Sequence, residues 1–281
     1  MKTINTLLLL VTAFTFTGFS FAQVQEEDNQ YYLIVSYNNF NLEKEDFDMN
    51  RWLELEKEYR TKVVNNNEYI RNFGTYTHNL TDDSSEVLHL FLVQGWDNIR
   101  KMQEVEGELR RKAWPDQEER RAFFRELNSF YTWEHSDEIY YMLPGVSKDL
   151  VNDATVVNMR VHHTKRPLGP ASNMEEFMAL NEWYTQEILA ENEFVKAYTP
   201  FSHAWGSSGT EYLEIWVYDS MEDMGKAGKR TNEIMRANKT EEELNELEDK
   251  WMKYFNPGHS DYIYTHHPEL NKAKMNLQAS N

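Results

Sequence analysis

The sequence predicts an α+β fold in which one β-α-β-β-α-β unit is written twice. Three observations carry this. The segment His135-Ser136-Asp137-Glu138-Ile139-Tyr140 returns as His259-Ser260-Asp261-Tyr262-Ile263-Tyr264, 124 residues later; extended through Pro144 and Pro268, six of ten positions are identical. The stripe Trp52, Leu55, Tyr59, Val63 returns 125 residues on as Phe177, Leu180, Tyr184, Ile188, with the three-and-four spacing that lines one face of a helix. Leu88, Leu90 and Leu92 return as Leu213, Ile215 and Val217, the alternation of a strand with one buried face. Thr77-His78 likewise shifts onto Ser202-His203, and Asp97–Lys101 onto Glu222–Lys226. Anchors of several kinds at nearly one offset identify a duplication.

Each copy reads in the same order. Copy one gives a strand near Tyr31–Tyr37, a helix over Phe47–Val64, and strands at Phe73–Asn79 and Val87–Val93. A long helical region, Asp97–Tyr131, follows, then a strand over Glu138–Leu143. The helical region breaks at Trp114-Pro115, because proline has no N–H to donate inside a helix. Copy two gives Thr155–His162, Met174–Glu191, Val195–Trp205, Glu211–Tyr218, Glu222–Phe255 and Tyr262–His266. Ser172 and Glu175 have the spacing of a capping box at the start of its first helix. The boundary is expected in Pro144–Asn152, a linker containing Pro, Gly, Ser and Asp. The units are then residues 23–145 and 153–268, with a polar tail at 269–281.

Residues 1–22 read as a secretory signal peptide. Lys2 is the only charge, Leu7–Val11 is the apolar stretch, and Ser20-Phe21-Ala22 sets small residues at the −3 and −1 positions, so cleavage is expected after Ala22. The stretch is too short and too interrupted by Thr to span a bilayer comfortably. The chain of 281 residues has no cysteine, which excludes disulfides and thiolate chemistry and fits a bacterial periplasm or exterior better than a small eukaryotic secreted domain. With 15 Phe, 16 Tyr and 8 Trp there is ample core material. Asp and Glu number 47 against 29 Lys and Arg, a net charge of −18. That balance argues against nucleic acid as partner and against stable insertion in an anionic membrane.

The order β-α-β-β-α-β is the ferredoxin-like split unit. Its sheet has helices on one face only, so two copies should bury their uncovered faces together. In element order, duplication and repeat length the chain resembles the dimeric α+β barrel superfamily, as a tandem, secreted member packed as an intramolecular α+β barrel. Relatives there include antibiotic-biosynthesis monooxygenases, haem-degrading monooxygenases and chlorite dismutases. The resemblance implies a small-molecule cavity between sheet and helices in each half. It does not select a chemistry, because fold does not fix function.

Candidate site residues come from the repeat and from one asymmetry. His78 and His203 hold equivalent places on the second strand of each copy and are candidate general bases; a histidine hydrogen-bonded within the sheet is the structural alternative. Copy two alone carries Asn158, Arg160 and His162 on one face of its first strand and Glu214, Trp216 and Tyr218 on one face of its third. These six are the candidate ligand-binding set, and Arg160 with Glu214 is either a ligand clamp or an internal salt bridge. Copy one has only His89 and Phe91 at the corresponding third-strand places, so if just one half is active, copy two is the expected one. His135 and His259 open the repeated His-Ser-Asp, which adjacency prevents from acting as a catalytic triad; Ser and Asp are expected to turn the backbone at a helix-to-strand junction. The doublets His162-His163 and His266-His267 place neighbours on opposite strand faces, so no metal site is predicted. Nor is a cofactor predicted, although haem stands as an alternative through the haem-using relatives. The leading expectation is a small-molecule-binding barrel with cofactor-independent oxygenation or proton-transfer chemistry. A noncatalytic carrier or protein scaffold is the first alternative and a haem binder the second. The duplication leaves monomer and homo-oligomer both open.

Overall fold

The computed structural model describes residues 29–143, 148, 156–166, 168 and 174–272. The expected leader, the linker apart from Lys148, and the tail beyond Lys272 lie outside the described residues. The first repeat contains β1 (Tyr31–Phe40), α1 (Met49–Lys62), β2 (Ile70–Leu80), β3 (Glu86–Gln94), α2 (Asp97–Ala113), α3 (Gln117–Ser129) and β4 (Tyr131–Met142). The second contains β5 (Val156–Thr164), α4 (Glu175–Trp183), β6 (Ala197–Trp205), β7 (Glu211–Tyr218), α5 (Met221–Asn238), α6 (Glu241–Met252) and β8 (Phe255–His266).

The eight strands close into one antiparallel barrel in the order β1-β3-β2-β8-β5-β7-β6-β4, with β4 pairing back to β1. Each repeat supplies four adjacent strands. The repeats join at two equivalent seams, β2 with β8 and β4 with β6. Closure removes the exposed edges that either four-stranded sheet would carry alone. Strand alternation then sorts side chains into two layers. Leu33, Val35, Leu88, Leu90 and Leu92 from repeat one pack inside the barrel with Val157, Met159, Leu213 and Val217 from repeat two. The outer faces carry the helices. In repeat one, Trp52, Leu55, Phe73, Val87, Phe123 and Leu127 form a single cluster.

Several boundaries differ from the sequence reading, each for a local reason. The long helical region of copy one breaks at Trp114-Pro115 as expected, and Asp116 caps the new helix by accepting from the N–H groups of Glu118 and Glu119. The helical region of copy two, read as Glu222–Phe255, is broken as well, at Lys239. Thr240 and Glu243 make a reciprocal capping box there, so hydroxyl and carboxylate end the helix without a proline. Ser172, expected to begin the capping box with Glu175, lies outside the described residues; α4 itself starts at Glu175, directly after Met174. The α4 helix continues as a π-helical turn over Tyr184–Leu189, a geometry that sequence periodicity does not encode. β4 and β8 begin seven residues before the expected Glu138 and Tyr262. Their first halves are exposed on both faces, so no apolar alternation marks them. His135-Ser136-Asp137 therefore lies within a strand, paired with Asn38, Tyr37 and Ser36, rather than at a turn. Among the described residues no helix is long and apolar enough to cross a membrane.

Candidate functional site

The space between sheet and helices differs between the repeats. In repeat one it is filled. Trp114 stacks on Phe123 at 4.2 Å, the Arg60 guanidinium lies 4.0 Å over Phe73, and Arg60 pairs with Glu56 at 2.5 Å, both side chains buried. Tyr131 donates to Glu56 at 2.6 Å. His89, the third-strand histidine, is held neutral by burial and by the nearby Arg60 charge, which together push its pKa well below the usual value.

In repeat two the same space holds a cleft of about 600 Å³, lined by Arg160, His162, Glu214 and Trp216 from the sheet. Tyr184 of the π-helical turn and residues of α5 and α6 complete its walls. A neighbouring cavity of about 450 Å³ shares Arg160, Tyr184 and Trp216 and adds Asn158, Tyr218 and Asp261. The structure thus brings all six predicted ligand-binding residues to two adjoining cavities. The reason is register: Asn158, Arg160 and His162 lie opposite Trp216, Glu214 and Tyr212. These positions face the helices, while Val157, Met159, Leu213 and Val217 turn into the barrel.

Two polar assemblies make up the floor. Glu214 is 6% exposed. One carboxylate oxygen accepts from Tyr198 Oη at 2.7 Å and the other lies 3.0 Å from His162 Nε2. Burial pushes the Glu214 carboxyl up, but the hydrogen bond and charge of His162, then the charge of Arg160, outweigh it and hold the pKa below the ordinary carboxylate value. Burial, reinforced by the Glu214 charge, keeps Tyr198 and Tyr212 protonated, with their pKa values well above the usual phenol. In the second assembly Asp261 accepts from Arg160 Nε and from Asn158 Nδ2, each at 2.9 Å, and lies 3.0 Å from His259 Nε2. Partial burial raises the Asp261 carboxyl, while Asn158 and Arg160 lower it further, for a net downward shift. The partner of Arg160 is therefore Asp261 across the β5–β8 ladder, not the expected Glu214. Arg160 also sits 5.7 Å over the Trp216 ring.

His78 and His203 stand apart from this group. His203 Nε2 lies 3.2 Å from Glu138 at the β4–β6 seam, where Glu138 also accepts from the Ser207 N–H. His78 Nδ1 lies 2.9 Å from Thr81 Oγ1 at the end of β2. Neither lines the two cavities. Sequence reasoning missed Asp261, Tyr184 and Tyr198. Asp261 was visible as the repeated His-Ser-Asp, and its pairing partner on β5 is Arg160, where copy one pairs Asp137 with Ser36. Nothing in the periodicity marks Tyr184 or Tyr198 as more than core.

A haem iron would need an imidazole nitrogen free to reach it. Both imidazoles of the cleft turn Nε2 to a carboxylate, His162 to Glu214 and His259 to Asp261. Only Nδ1 of either ring is then left to approach an iron, and no step below passes through one. Among the described residues no group of three His, Cys, Asp or Glu is placed to hold a metal ion.

No protein-family model matches the chain, and no curated protein matches it. Solved structures do. A protein of Lactobacillus acidophilus NCFM, provisionally described as a monooxygenase, superposes with a TM-score of 0.52 at 10% identity, covering 84% of this chain and 94% of its own. A Fusobacterium nucleatum protein with the same provisional description gives 0.51 at 9% identity, covering 84% and 92%. An arginine-to-alanine variant of chlorite dismutase from Candidatus Nitrospira defluvii gives 0.50 at 11% identity, covering 87% and 93%. The fold is that of the dimeric α+β barrels. Here the two halves of the barrel are halves of one polypeptide.

Proposed function

We propose that the protein binds a small organic molecule in the cleft of its second repeat and removes a proton from it. The carrying observation is the chain Tyr198–Glu214–His162 on the cleft floor. A buried carboxylate that fixes one imidazole nitrogen leaves Nδ1 to face a ligand and stabilises the imidazolium formed when the base takes a proton. His162 is thereby a better-placed base than His203 or His78, which lie outside the cleft. Asn158, Arg160, Trp216 and Tyr218 orient the ligand, with Asp261 holding Arg160. The carbanion left by proton removal is the electron-rich species that direct reaction with dioxygen requires, which is how the oxygenase reading of the fold's relatives enters. The leader-like residues 1–22 support action in the periplasm or outside the cell. A noncatalytic carrier is the second reading, favoured by the charges of the cleft floor being paired within the protein, Arg160 with Asp261 and His162 with Glu214.

The test is deuterium wash-in from D2O into a panel of neutral carbon acids, followed by NMR, alongside native mass spectrometry of the same mixtures. Catalysed exchange in the wild type that disappears in His162→Gln, with binding retained, supports the assignment. Binding without exchange in the wild type refutes the base and establishes a carrier.

A further inference from the structure

The two repeats treat their last helix differently. In repeat one, α3 drives Phe123 and Leu127 into the apolar cluster beneath it, both buried. In repeat two, α6 has no buried residue, although Leu244, Leu247 and Trp251 lie at the spacing that makes one helix face. That face lines the cleft. Trp251 is anchored, stacked on Phe255 at 5.6 Å and edge-on to Phe177 at 5.9 Å. Leu244 and Leu247 join none of the apolar clusters among the described residues. The helix is tied at its C-terminal end, where Lys253 and Tyr254 reach Glu176 at 3.1 and 3.0 Å. Its N-terminal end is set off from α5 by the break at Lys239 and carries Glu241, Glu242 and Glu243 into solvent. An amphipathic helix anchored at one end, with its free apolar half over a cleft, lacks the core that would hold it down.

The floor opposite α6 narrows what supplies that core. Its charges are paired within the protein, Arg160 with Asp261 and His162 with Glu214. A charged ligand seated on the floor would have to separate one of these pairs, of which His162–Glu214 is the more deeply buried, and that is costly. Trp183, Tyr184, Tyr212, Trp216 and Phe255 line the same cleft as Leu244 and Leu247, while its further charged groups, Arg236, Glu241 and Glu248, come from α5 and α6 rather than from the floor.

We infer that α6 is a lid that closes on the ligand, and that the ligand is neutral and predominantly apolar, completing the core that repeat one builds from Phe123 and Leu127. This rests on the reading of the cleft as a ligand site. Burial of the Leu244 and Leu247 faces against the ligand supplies the closing force, and the ligand's affinity and the ordering of α6 are then one equilibrium.

The experiment uses the mature chain with Nile red as a neutral planar probe and 1-anilinonaphthalene-8-sulfonate as an anionic one. Fluorescence titration gives binding, and amide hydrogen exchange is followed over residues 241–252 with α3, residues 117–129, as internal reference. Met235→Trp, which narrows the cleft from the α5 side, identifies occupancy of this cleft. The expected result is saturable Nile red binding, lost in Met235→Trp, about tenfold tighter than the anion, with exchange in α6 slowed about tenfold and α3 unchanged. Binding lost in Met235→Trp without protection of α6 overturns the lid and leaves the ligand site standing. Tighter binding of the anion in the same cleft overturns the neutral class alone. No saturable Nile red binding, or binding insensitive to Met235→Trp, overturns the inference and, if the anion also fails, the ligand site with it.

Discussion

Replacing Glu214 with leucine tests the floor of the cleft most directly. Glu214 is 6% exposed and accepts from Tyr198 at 2.7 Å, with His162 Nε2 3.0 Å away. Glu214→Leu leaves two polar groups facing an aliphatic side chain. Each buried group left unpaired costs about 1–3 kcal/mol. His162, 20% exposed as a side chain, recovers part of its loss by bonding water, so the expected destabilisation is about 2–4 kcal/mol. For a chain of this size that lowers Tm by roughly 5–15 °C. Glu214→Gln keeps an acceptor for Tyr198 and should lose less, about 1–2 kcal/mol. The triple variant Tyr198→Phe, His162→Leu, Glu214→Leu removes every unpaired partner and should return most of the stability lost in the single variant. The assay is urea unfolding at pH 7.5 by tryptophan fluorescence and far-UV circular dichroism. The pH dependence adds a sign. The Glu214 carboxyl is held below its ordinary value in the folded state, so its contribution is present above the ordinary carboxylate pKa and is lost as pH falls through the depressed folded value. The gap between wild type and Glu214→Gln should therefore narrow as the pH falls below about 4. A Glu214→Leu protein as stable as wild type, or a triple variant less stable than the single one, would refute the reasoning.

Two further predictions concern the rest of the molecule. Leu127→Ala in α3 should cost about 2–5 kcal/mol, whereas Leu247→Ala in α6 should cost less than about 1 kcal/mol, since only the first side chain is packed in a core; paired urea titrations decide, and equal losses would show that α6 is already packed. Glu86, beside Tyr264 at the barrel mouth, has its carboxyl raised by burial and by Asp83 and Asp82, against the Tyr264 hydrogen bond that lowers it. A raised folded pKa means that stability falls as pH rises from the ordinary carboxylate value through the folded one, so Glu86→Gln should be more stable than wild type at pH 7 and lose that advantage in acid; an advantage that grows in acid would contradict the sign.

The barrel was legible because the two halves repeat the same apolar alternation, and alternation is what a closed sheet with one dry face requires. Leu88, Leu90 and Leu92 and their counterparts Leu213, Ile215 and Val217 announced the inner layer. The same logic exposed the site in part: Asn158, Arg160 and His162 alternate with Val157, Met159 and Val161, so their shared face followed from period two alone. What periodicity could not supply was pairing across strands. Arg160 has Glu214 on one flank and Asp261 on the other in register, and only side-chain geometry selects Asp261. Nor could it supply the π-helical turn that places Tyr184 at the cleft, since Phe177, Leu180, Tyr184 and Ile188 read as ordinary helical core. The first halves of β4 and β8 were missed because a strand exposed on both faces carries no hydrophobic signal.

The inner layer also fixes what the two repeats owe each other. Leu33, Val35, Leu88, Leu90 and Leu92 contact Val157, Met159, Phe201, Leu213 and Val217 across the barrel, and the strand edges of each repeat are paired by the other at both seams. A repeat expressed alone would expose that apolar face and two open edges, a combination that drives association. Residues 23–145 produced separately should therefore form a homodimer that rebuilds the barrel with two copies of β1–β4, because the repeat already has the matching element order. Sedimentation velocity with circular dichroism would show a folded dimer, or aggregation where the seams no longer match. A folded, soluble monomer would refute the argument, because it would mean the inner face can be covered without its partner. Repeat one, whose space beneath the helices is filled by Trp114, Phe123 and the Glu56–Arg60 pair, should make the more stable dimer. Repeat two keeps a cleft where its sibling keeps a core, and so depends more on the barrel for its stability.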